Sequence, residues 1–265
     1  PVRKIIILFT VFKGNEGRDG GGISIQNSGY LTVIHSQFIQ NIAKYRGGAM
    51  IIRTVRYSVW TFNCTFVANT AKTAGSGFTV LHVPFASIIN CPVIKNKCKD
   101  SQAAITIENF QNISILSCDF RRNKGGVLSF EKGRNTFIQN CSFQHNIGKA
   151  IGAVQIKKCH LVLEANINFI NNKIELSGGG VGVENTNRLL KINITFLSNR
   201  GSQGGGVHLN KITNIWIENV RFITNKGIDG GGMYLSDTHS VQLKNCYIIG
   251  NKVSGDGAGI YMENV

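Results

Sequence analysis

The chain has 265 residues, 42% of them hydrophobic, which is enough apolar sequence to bury a sizeable core. Its 29 lysine and arginine residues outnumber 14 aspartate and glutamate residues, and the formal net charge of +15 at pH 7 predicts a polyanionic partner. No stretch of the sequence approaches the roughly 18 consecutive apolar residues of a membrane span, which argues against a transmembrane protein.

The first predicted element is a strand over residues 5–12, which opens a repeat that runs through the whole chain. A phenylalanine, two variable residues and an asparagine recur at intervals of 23 to 28 residues. The copies begin at Phe12, Phe38, Phe66, Phe120, Phe143, Phe169, Phe196 and Phe222, with degenerate copies at Val93 and Ile248. After each asparagine comes a variable loop and then a glycine-rich step into an apolar strand, as at residues 204–207.

Before each phenylalanine lies an alternating strand whose apolar residues can all be buried only if the strand bends three residues ahead of the phenylalanine. Asparagine tolerates left-handed backbone better than most residues and holds this position in seven repeats: Asn63, Asn90, Asn140, Asn166, Asn193, Asn219 and Asn245. Three short strands and three corners per repeat, without helix signals, predict an all-β fold. We expect a right-handed parallel β-helix, a three-sided solenoid of about ten coils of about 26 residues.

The repeat resembles those of the chlamydial polymorphic outer-membrane proteins and of related pectin-lyase-like β-helices, through phrases such as Gly47-Gly48-Ala49-Met50 and Phe-x-x-Asn. The resemblance covers essentially the whole chain and implies a right-handed β-helix displayed outside a cell, often with an adhesive role. The repeats predict a single domain over residues 1–265 without a cap at either end. Because uncapped coils expose strand edges, we expect both ends to contact further coils of a longer chain or identical subunits stacked into a filament.

Four cysteines, each two residues before the phenylalanine position, occupy consecutive repeats: Cys64, Cys91, Cys118 and Cys141. They form either a buried ladder of thiols or disulfides between adjacent coils, because the strand spacing lies within the Cα range of a disulfide. No spacing predicts a metal site or a cofactor.

Four sequons predict a secreted glycoprotein. Three of them use the bend asparagines Asn63, Asn140 and Asn193, and Asn112, at a strand entrance, is the best predicted acceptor.

Catalytic signals are weak. Asp229 and Asp256 precede the glycine step in adjacent coils, at a predicted spacing near the roughly 5 Å of a retaining glycosidase. Asp237 and His239 lie in the same repeat as Asp229 and complete the candidate set. An aspartate before a glycine is also typical of an ordinary turn, so these residues do not by themselves define a catalytic site.

A binding surface is better supported, because a basic residue follows the repeat asparagine in six coils and others lie close by. The predicted polyanion-binding residues are Lys97, Arg121, Arg122, Lys124, Lys149, Lys173, Arg200, Lys226 and Lys252. Either the loops hold these side chains apart and solvated, or an anionic chain lies along them. Outward apolar residues predict lateral packing or stacking on sugar rings: Trp60, Phe137, Leu163, Leu190 and Trp216, with Tyr234 and Tyr261 after the glycine step.

These features favour a non-enzymatic extracellular protein with a structural or adhesive role, such as a surface protein, matrix component or filament subunit. The alternative is a carbohydrate-active enzyme or binding module that acts on acidic polysaccharide, which needs a cluster of carboxylates or of basic residues in one groove. Nucleic acid is not the expected partner, because the sequons indicate secretion.

Overall fold

The computed structural model describes residues 3–100, 102–149 and 152–265. All strand pairings in this part of the chain are parallel and join residues one repeat apart, so that the repeats stack as the coils of a solenoid. The predicted parallel β-solenoid of about ten coils is therefore confirmed. The described residues form no helix that could cross a membrane.

The coils are built from strands of three kinds, labelled here in chain order. The strands that carry the glycine-step residues and the alternating stretch are β1 (Lys4–Leu8), β4 (Ile23–Ile34), β7 (Met50–Phe62), β10 (Phe78–Ile89), β13 (Ile105–Leu116), β16 (Leu128–Gln139), β19 (Val154–Ile170), β21 (Val181–Leu197), β22 (Val207–Glu218), β25 (Met233–Ser236), β26 (Ser240–Lys244) and β29 (Ile260–Glu263). Short strands centred on the repeat phenylalanine position are β2 (Val11–Lys13), β5 (Gln37–Ile39), β8 (Thr65–Val67), β11 (Pro92–Ile94), β14 (Asp119–Arg121), β17 (Ser142–Gln144), β23 (Arg221–Ile223) and β27 (Tyr247–Ile249). Two-residue strands directly after the repeat asparagine are β3 (Glu16–Gly17), β6 (Ile42–Ala43), β9 (Thr70–Ala71), β12 (Lys97–Cys98), β15 (Lys124–Gly125), β18 (Ile147–Gly148), β20 (Lys173–Ile174), β24 (Lys226–Gly227) and β28 (Lys252–Val253).

Each coil turns at residues whose backbone φ is positive. The seven predicted bend asparagines have φ between 51° and 55°, which confirms the left-handed bend. A second left-handed residue lies directly before the repeat asparagine, as at Arg122 (φ 55°). A third left-handed residue divides the long strand. Residues as different as Asn185 and Lys211 (φ 51° and 54°) occupy this position, so residue type alone does not predict this bend.

The repeat asparagines form a buried ladder. Asn96 donates its backbone N–H (3.0 Å) and its Nδ2–H (3.2 Å) to Oδ1 of Asn123 in the next coil. Its Nδ2 also donates to the backbone oxygen of Phe66 in the preceding coil (2.9 Å). One amide thus joins three coils and satisfies polar groups in the interior, which explains why the repeat carries asparagine here.

Phenylalanine rings stack inside the same corner of the solenoid. The rings of Phe169 and Phe196, and those of Phe196 and Phe222, are parallel with centroids 4.9 and 5.0 Å apart. The glycine step lets the coils approach closely: a Cβ on Gly205 would lie 2.4 Å from the backbone oxygen of Gly231. Larger side chains at this step would force adjacent coils apart.

The core also contains an ion pair that the repeat pattern did not predict. Glu164 and Lys191 hold an inward position that is isoleucine in the flanking coils, at Ile138 and Ile217. Both side chains are completely buried, and Lys191 Nζ contacts Glu164 Oε2 directly. Burial lowers the pKa of Lys191, and the attraction of Glu164 opposes that shift.

Candidate functional site

Six of the predicted basic residues form one row along the outside of the solenoid, which we call the cation ladder: Lys97, Lys124, Lys173, Arg200, Lys226 and Lys252. The strand register pairs Lys97 with Lys124 and joins the other four in successive coils. Ile147, which is 48% exposed, holds the position between the two groups. The structure therefore brings together residues that lie as many as 155 positions apart in the sequence.

The cation ladder is electrostatically unbalanced. All six side chains are exposed, and none of them forms an ion pair within the described part of the chain. Neighbouring strands lie about 4.8 Å apart, so adjacent like charges repel one another unless the side chains diverge or an anion lies between them. The arrangement suits an extended anion that runs parallel to the solenoid axis.

The other three predicted basic residues lie beside this row. Arg121 belongs to β14 and pairs with Asp119 in the same strand, so its charge is already balanced. Arg122 occupies an exposed corner, and Lys149 lies two residues beyond Ile147 in a loop. Six of the nine predicted residues therefore share the register of the ladder, and the other three lie close by; binding of a polyanion by any of them remains a prediction.

A polar groove of about 410 Å³ lies on the outer face of the glycine-step strands, around the fourth to sixth coils. Two parallel rows of side chains line it: Thr106, Ser129 and Gln155 in one row, and Glu108, Glu131 and Lys157 in the other. The loop after Asn123 is short, because the glycine step at residues 125–126 follows almost at once. The shortest repeat interval, 23 residues, is the sequence signal that marks this coil.

The groove contains a pair of stacked carboxylates other than the predicted Asp229 and Asp256. Glu108 and Glu131 are register partners on adjacent strands, so their Cα atoms lie about one strand spacing apart. Glu131 has Nζ of Lys132 and of Lys158 within 3.8 Å. On the groove wall, the buried hydroxyl of Thr106 has no hydrogen-bond partner among the described residues.

Comparison with known proteins bears on the fold. The model of the family described as "Right handed beta helix region" matches residues 103–264, which is more than half of the chain. The chain belongs to this family. No curated protein and no solved structure matches the chain significantly. The family assignment confirms the predicted right-handed β-helix, and because one fold supports many functions, the function has to be argued from the sites.

The β-helix holds the four predicted catalytic residues as two separate pairs, Asp229 with Asp256 and Asp237 with His239. Asp229 Oδ1 accepts a hydrogen bond from the backbone N–H of Asp256 (2.8 Å), the same turn role that Asp19 performs for Arg46 (3.0 Å). Asp237 and His239 lie beyond the far end of β25, and Asp237 accepts a hydrogen bond from Asn264 (3.2 Å). The turn interpretation therefore accounts for Asp229, and the set does not form one cluster.

The predicted outward aromatic residues differ in exposure. Trp60 is 48% exposed, whereas Trp216 is half-buried and donates its Nε1–H to Glu218 (3.1 Å). Tyr234 is buried: Tyr261 stacks on its ring, with the centroids 5.1 Å apart, and its hydroxyl donates to Glu263 (2.9 Å). Tyr234 is therefore not available for contact with a sugar, whereas Trp60 is.

The apolar stripe is interrupted. Phe137, Leu163, Leu190 and Trp216 are contiguous in the register, and Ser87 and Ser114 separate them from Trp60. A shallow groove of about 490 Å³ runs beside the C-terminal part of this stripe, with Trp216 in its wall.

All seven cysteines are free thiols in this structure, so Cys64, Cys91, Cys118 and Cys141 form the buried ladder of thiols, the first of the two alternatives that the sequence allows, and not disulfides. The backbone N–H of Cys64 donates to Sγ of Cys91 (3.4 Å), and that of Cys91 donates to Sγ of Cys118 (3.5 Å). Ser36 performs the same role one coil earlier, where its Oγ accepts from the backbone N–H of Thr10 (3.2 Å). A small polarisable side chain at this corner thus accepts a backbone hydrogen bond between coils.

The sequon asparagines lie on the outside of the β-helix. Asn63, Asn140 and Asn193 belong to the ladder of bend residues, in which Asn193 donates to Asn166 (3.2 Å) and accepts from Asn219 (3.2 Å). Asn112 is half-buried and accepts a hydrogen bond from Nδ2 of Asn135 (2.7 Å). Glycosylation at these positions remains a prediction.

Proposed function

We propose that this protein is a non-enzymatic, extracellular β-helix that binds a linear acidic polysaccharide along its cation ladder. One observation carries the proposal: six exposed basic side chains share a register and have no acidic partner within the described residues. A polymer with regularly spaced negative charges would lie along the solenoid axis and contact several coils at once. The sequons support an extracellular location, and the exposed Trp60 would allow additional stacking on sugars.

An adhesive or structural role extends this proposal. In the last coil, Leu243 and Met262 continue inward-facing rows of the core, yet they are 36% and 49% exposed. Contact with a further coil, or with a second copy of the chain, would cover these side chains and continue the parallel ladders. A polysaccharide-binding face on such a stack would be multivalent.

The test compares two triple variants with the same change in charge. Lys173→Gln/Arg200→Gln/Lys226→Gln removes the centre of the ladder, whereas Lys13→Gln/Arg188→Gln/Lys211→Gln removes exposed cations from other faces. Binding to heparin and to polygalacturonate would be measured by calorimetry at several salt concentrations, with neutral dextran as the control polymer. We expect the ladder variant to lose about 10-fold or more in affinity, at up to about 1 kcal/mol per exposed pair. Equal losses in both variants would show that net charge, and not the ladder, determines binding.

The polar groove supports a second candidate function, a carbohydrate-active enzyme or binding module. The supporting observation is the pair Glu108 and Glu131 on adjacent coils, because retaining glycosidases place two carboxyl groups about 5 to 5.5 Å apart. Glu108→Gln and Glu131→Gln should then each abolish the release of reducing ends from acidic polysaccharides, and Asp229→Asn should leave it unchanged. Absence of turnover by the wild-type protein, together with ladder-dependent binding, would exclude the enzyme.

A further inference from the structure

The buried pair of Glu164 and Lys191 has the chemistry and the surroundings for a covalent bond. The two residues are register partners in β19 and β21, and both side chains are fully buried. Lys191 Nζ contacts one carboxylate oxygen, and the other, Oε1, has no hydrogen-bond partner among the described residues. The ring of Phe196 lies 5.8 Å from Nζ, and isoleucines flank the pair in the same row. The charges are therefore paired only with each other.

We propose that Lys191 and Glu164 condense to an amide, an isopeptide bond that joins two adjacent coils inside the core. The strand register holds the amine against the carboxyl group, and such fixed contact can correspond to effective concentrations of about 10⁵–10⁸ M. The closed core excludes the water that would hydrolyse the product. A neutral amide also replaces two buried charges, whose removal from water is costly.

The reaction needs no co-reactant. A proton passes from the Lys191 ammonium group to the Glu164 carboxylate, and burial, which lowers the pKa of Lys191, favours this transfer. The lone pair of Nζ then attacks Cδ and forms the C–N bond. The C–O bond to the protonated oxygen breaks, and the hydroxyl group leaves with a proton from Nζ as one water molecule. No atom is oxidised or reduced.

The same two strands carry a matched control. Lys157 and Glu184 are also register partners, with Nζ and Oε2 3.3 Å apart, but they face outward and their side chains are 29% and 22% exposed. Water stabilises their ionised forms and favours hydrolysis of any amide. The structure therefore assigns the bond to the inward pair and leaves the outward pair as an ordinary salt bridge.

The full chain, produced in bacteria and fully reduced, should have an intact mass lower than that of its sequence by one water molecule. A tryptic digest should contain peptides 159–173 and 189–200 joined together, with no cleavage after Lys191. Lys191→Met should restore the full mass, and Lys157→Met should retain the loss of water. Glu164→Gln, which lacks the carboxylate that accepts the proton of Lys191, should also have the full mass of its sequence.

A wild-type intact mass equal to the sequence mass, with cleavage after Lys191, would overturn the proposal and leave a plain ion pair. The wild-type peptide map decides the question even if a variant at Glu164 or Lys191 does not fold.

Discussion

Asn172 donates both its backbone N–H and its side-chain Nδ2–H to a single acceptor, Oδ1 of Asn199 one coil later, at 3.0 Å each. Asn172 Oδ1 in turn accepts from the backbone N–H (3.1 Å) and Nδ2 (2.9 Å) of Asn146 one coil earlier. Each rung therefore depends on the next, and the loss of one amide leaves buried polar groups of the preceding coil unsatisfied.

Asn172→Ala should lower the free energy of unfolding by about 2–4 kcal/mol, because it leaves the buried N–H of Asn146 and the carbonyl oxygen of Phe143 without a hydrogen-bond partner. The control is Asn168→Ala, an exposed asparagine in the same coil, which we expect to change stability by less than about 0.5 kcal/mol. Urea denaturation followed by circular dichroism measures both. Similar midpoints for the two variants would contradict the role of the ladder.

The bend asparagines should respond to substitution through their backbone conformation. Asn219 has φ 55°, so Asn219→Gly should be nearly neutral, whereas the β-branched Asn219→Val should cost about 1–3 kcal/mol. The thermal midpoints of the two variants provide the comparison. A valine variant as stable as the glycine variant would show that the hydrogen bond to Asn193, and not the left-handed backbone, selects asparagine at this position.

The thiols should react slowly in the folded protein. Burial raises the pKa of the Cys98 thiol from 9.0 to about 11, so little thiolate forms near neutral pH. Because the folded-state pKa is raised, this thiol contributes stability that is fully present below pH 9 and is lost as the pH rises toward 11. Iodoacetamide at pH 8 should label Cys246, which is partly exposed, well before the six buried thiols.

Mass spectrometry of the alkylated protein counts the labels with and without denaturant. Rapid labelling of the six buried thiols in the native state, in addition to Cys246, would contradict the buried ladder of thiols. Failure of Cys64, Cys91, Cys118 and Cys141 to react in denaturant unless a reductant is added would instead show the disulfides that the sequence left open.

Removing one member of the buried core pair should be more damaging than removing both. Glu164→Ile alone leaves an unpaired lysine inside the solenoid, at a cost of about 3–5 kcal/mol. The double variant Glu164→Ile/Lys191→Ile extends the apolar row of Ile138 and Ile217 and should be clearly more stable than the single variant. Denaturation midpoints of the single and double variants test this, and a double variant no more stable than the single would contradict it.

The repeat made the fold predictable because each coil has the same residue types at the same positions. The phenylalanine phrase, the glycine step and the bend asparagines were sufficient to predict the stacking and one of the corners. The third corner escaped prediction because Thr54, His82 and Lys211 share no side-chain property there. Glu164 and Lys191 were missed because the other coils have mostly apolar residues at that position.

Site prediction depended on register. The cation ladder could be predicted because its residues follow the repeat asparagine at a fixed offset. The groove residues Glu108 and Glu131 lie on opposite sides of a shortened loop. Because this repeat is only 23 residues long, their spacing in the sequence differs from that of other register partners and does not indicate that they align. Asp229 was favoured from its position before glycine, which proved to be a backbone-capping role.

The cation ladder also has a consequence in polyelectrolyte terms. Its charges repeat about every 4.8 Å, less than the roughly 7 Å at which two unit charges in water interact with thermal energy. A row this dense gathers small anions from the surrounding electrolyte, and a polyanion that displaces them gains the mixing entropy of the released ions. Ile147 divides the row into a pair and a quartet of charges, so short oligomers should occupy the quartet first and only longer chains should bridge the gap.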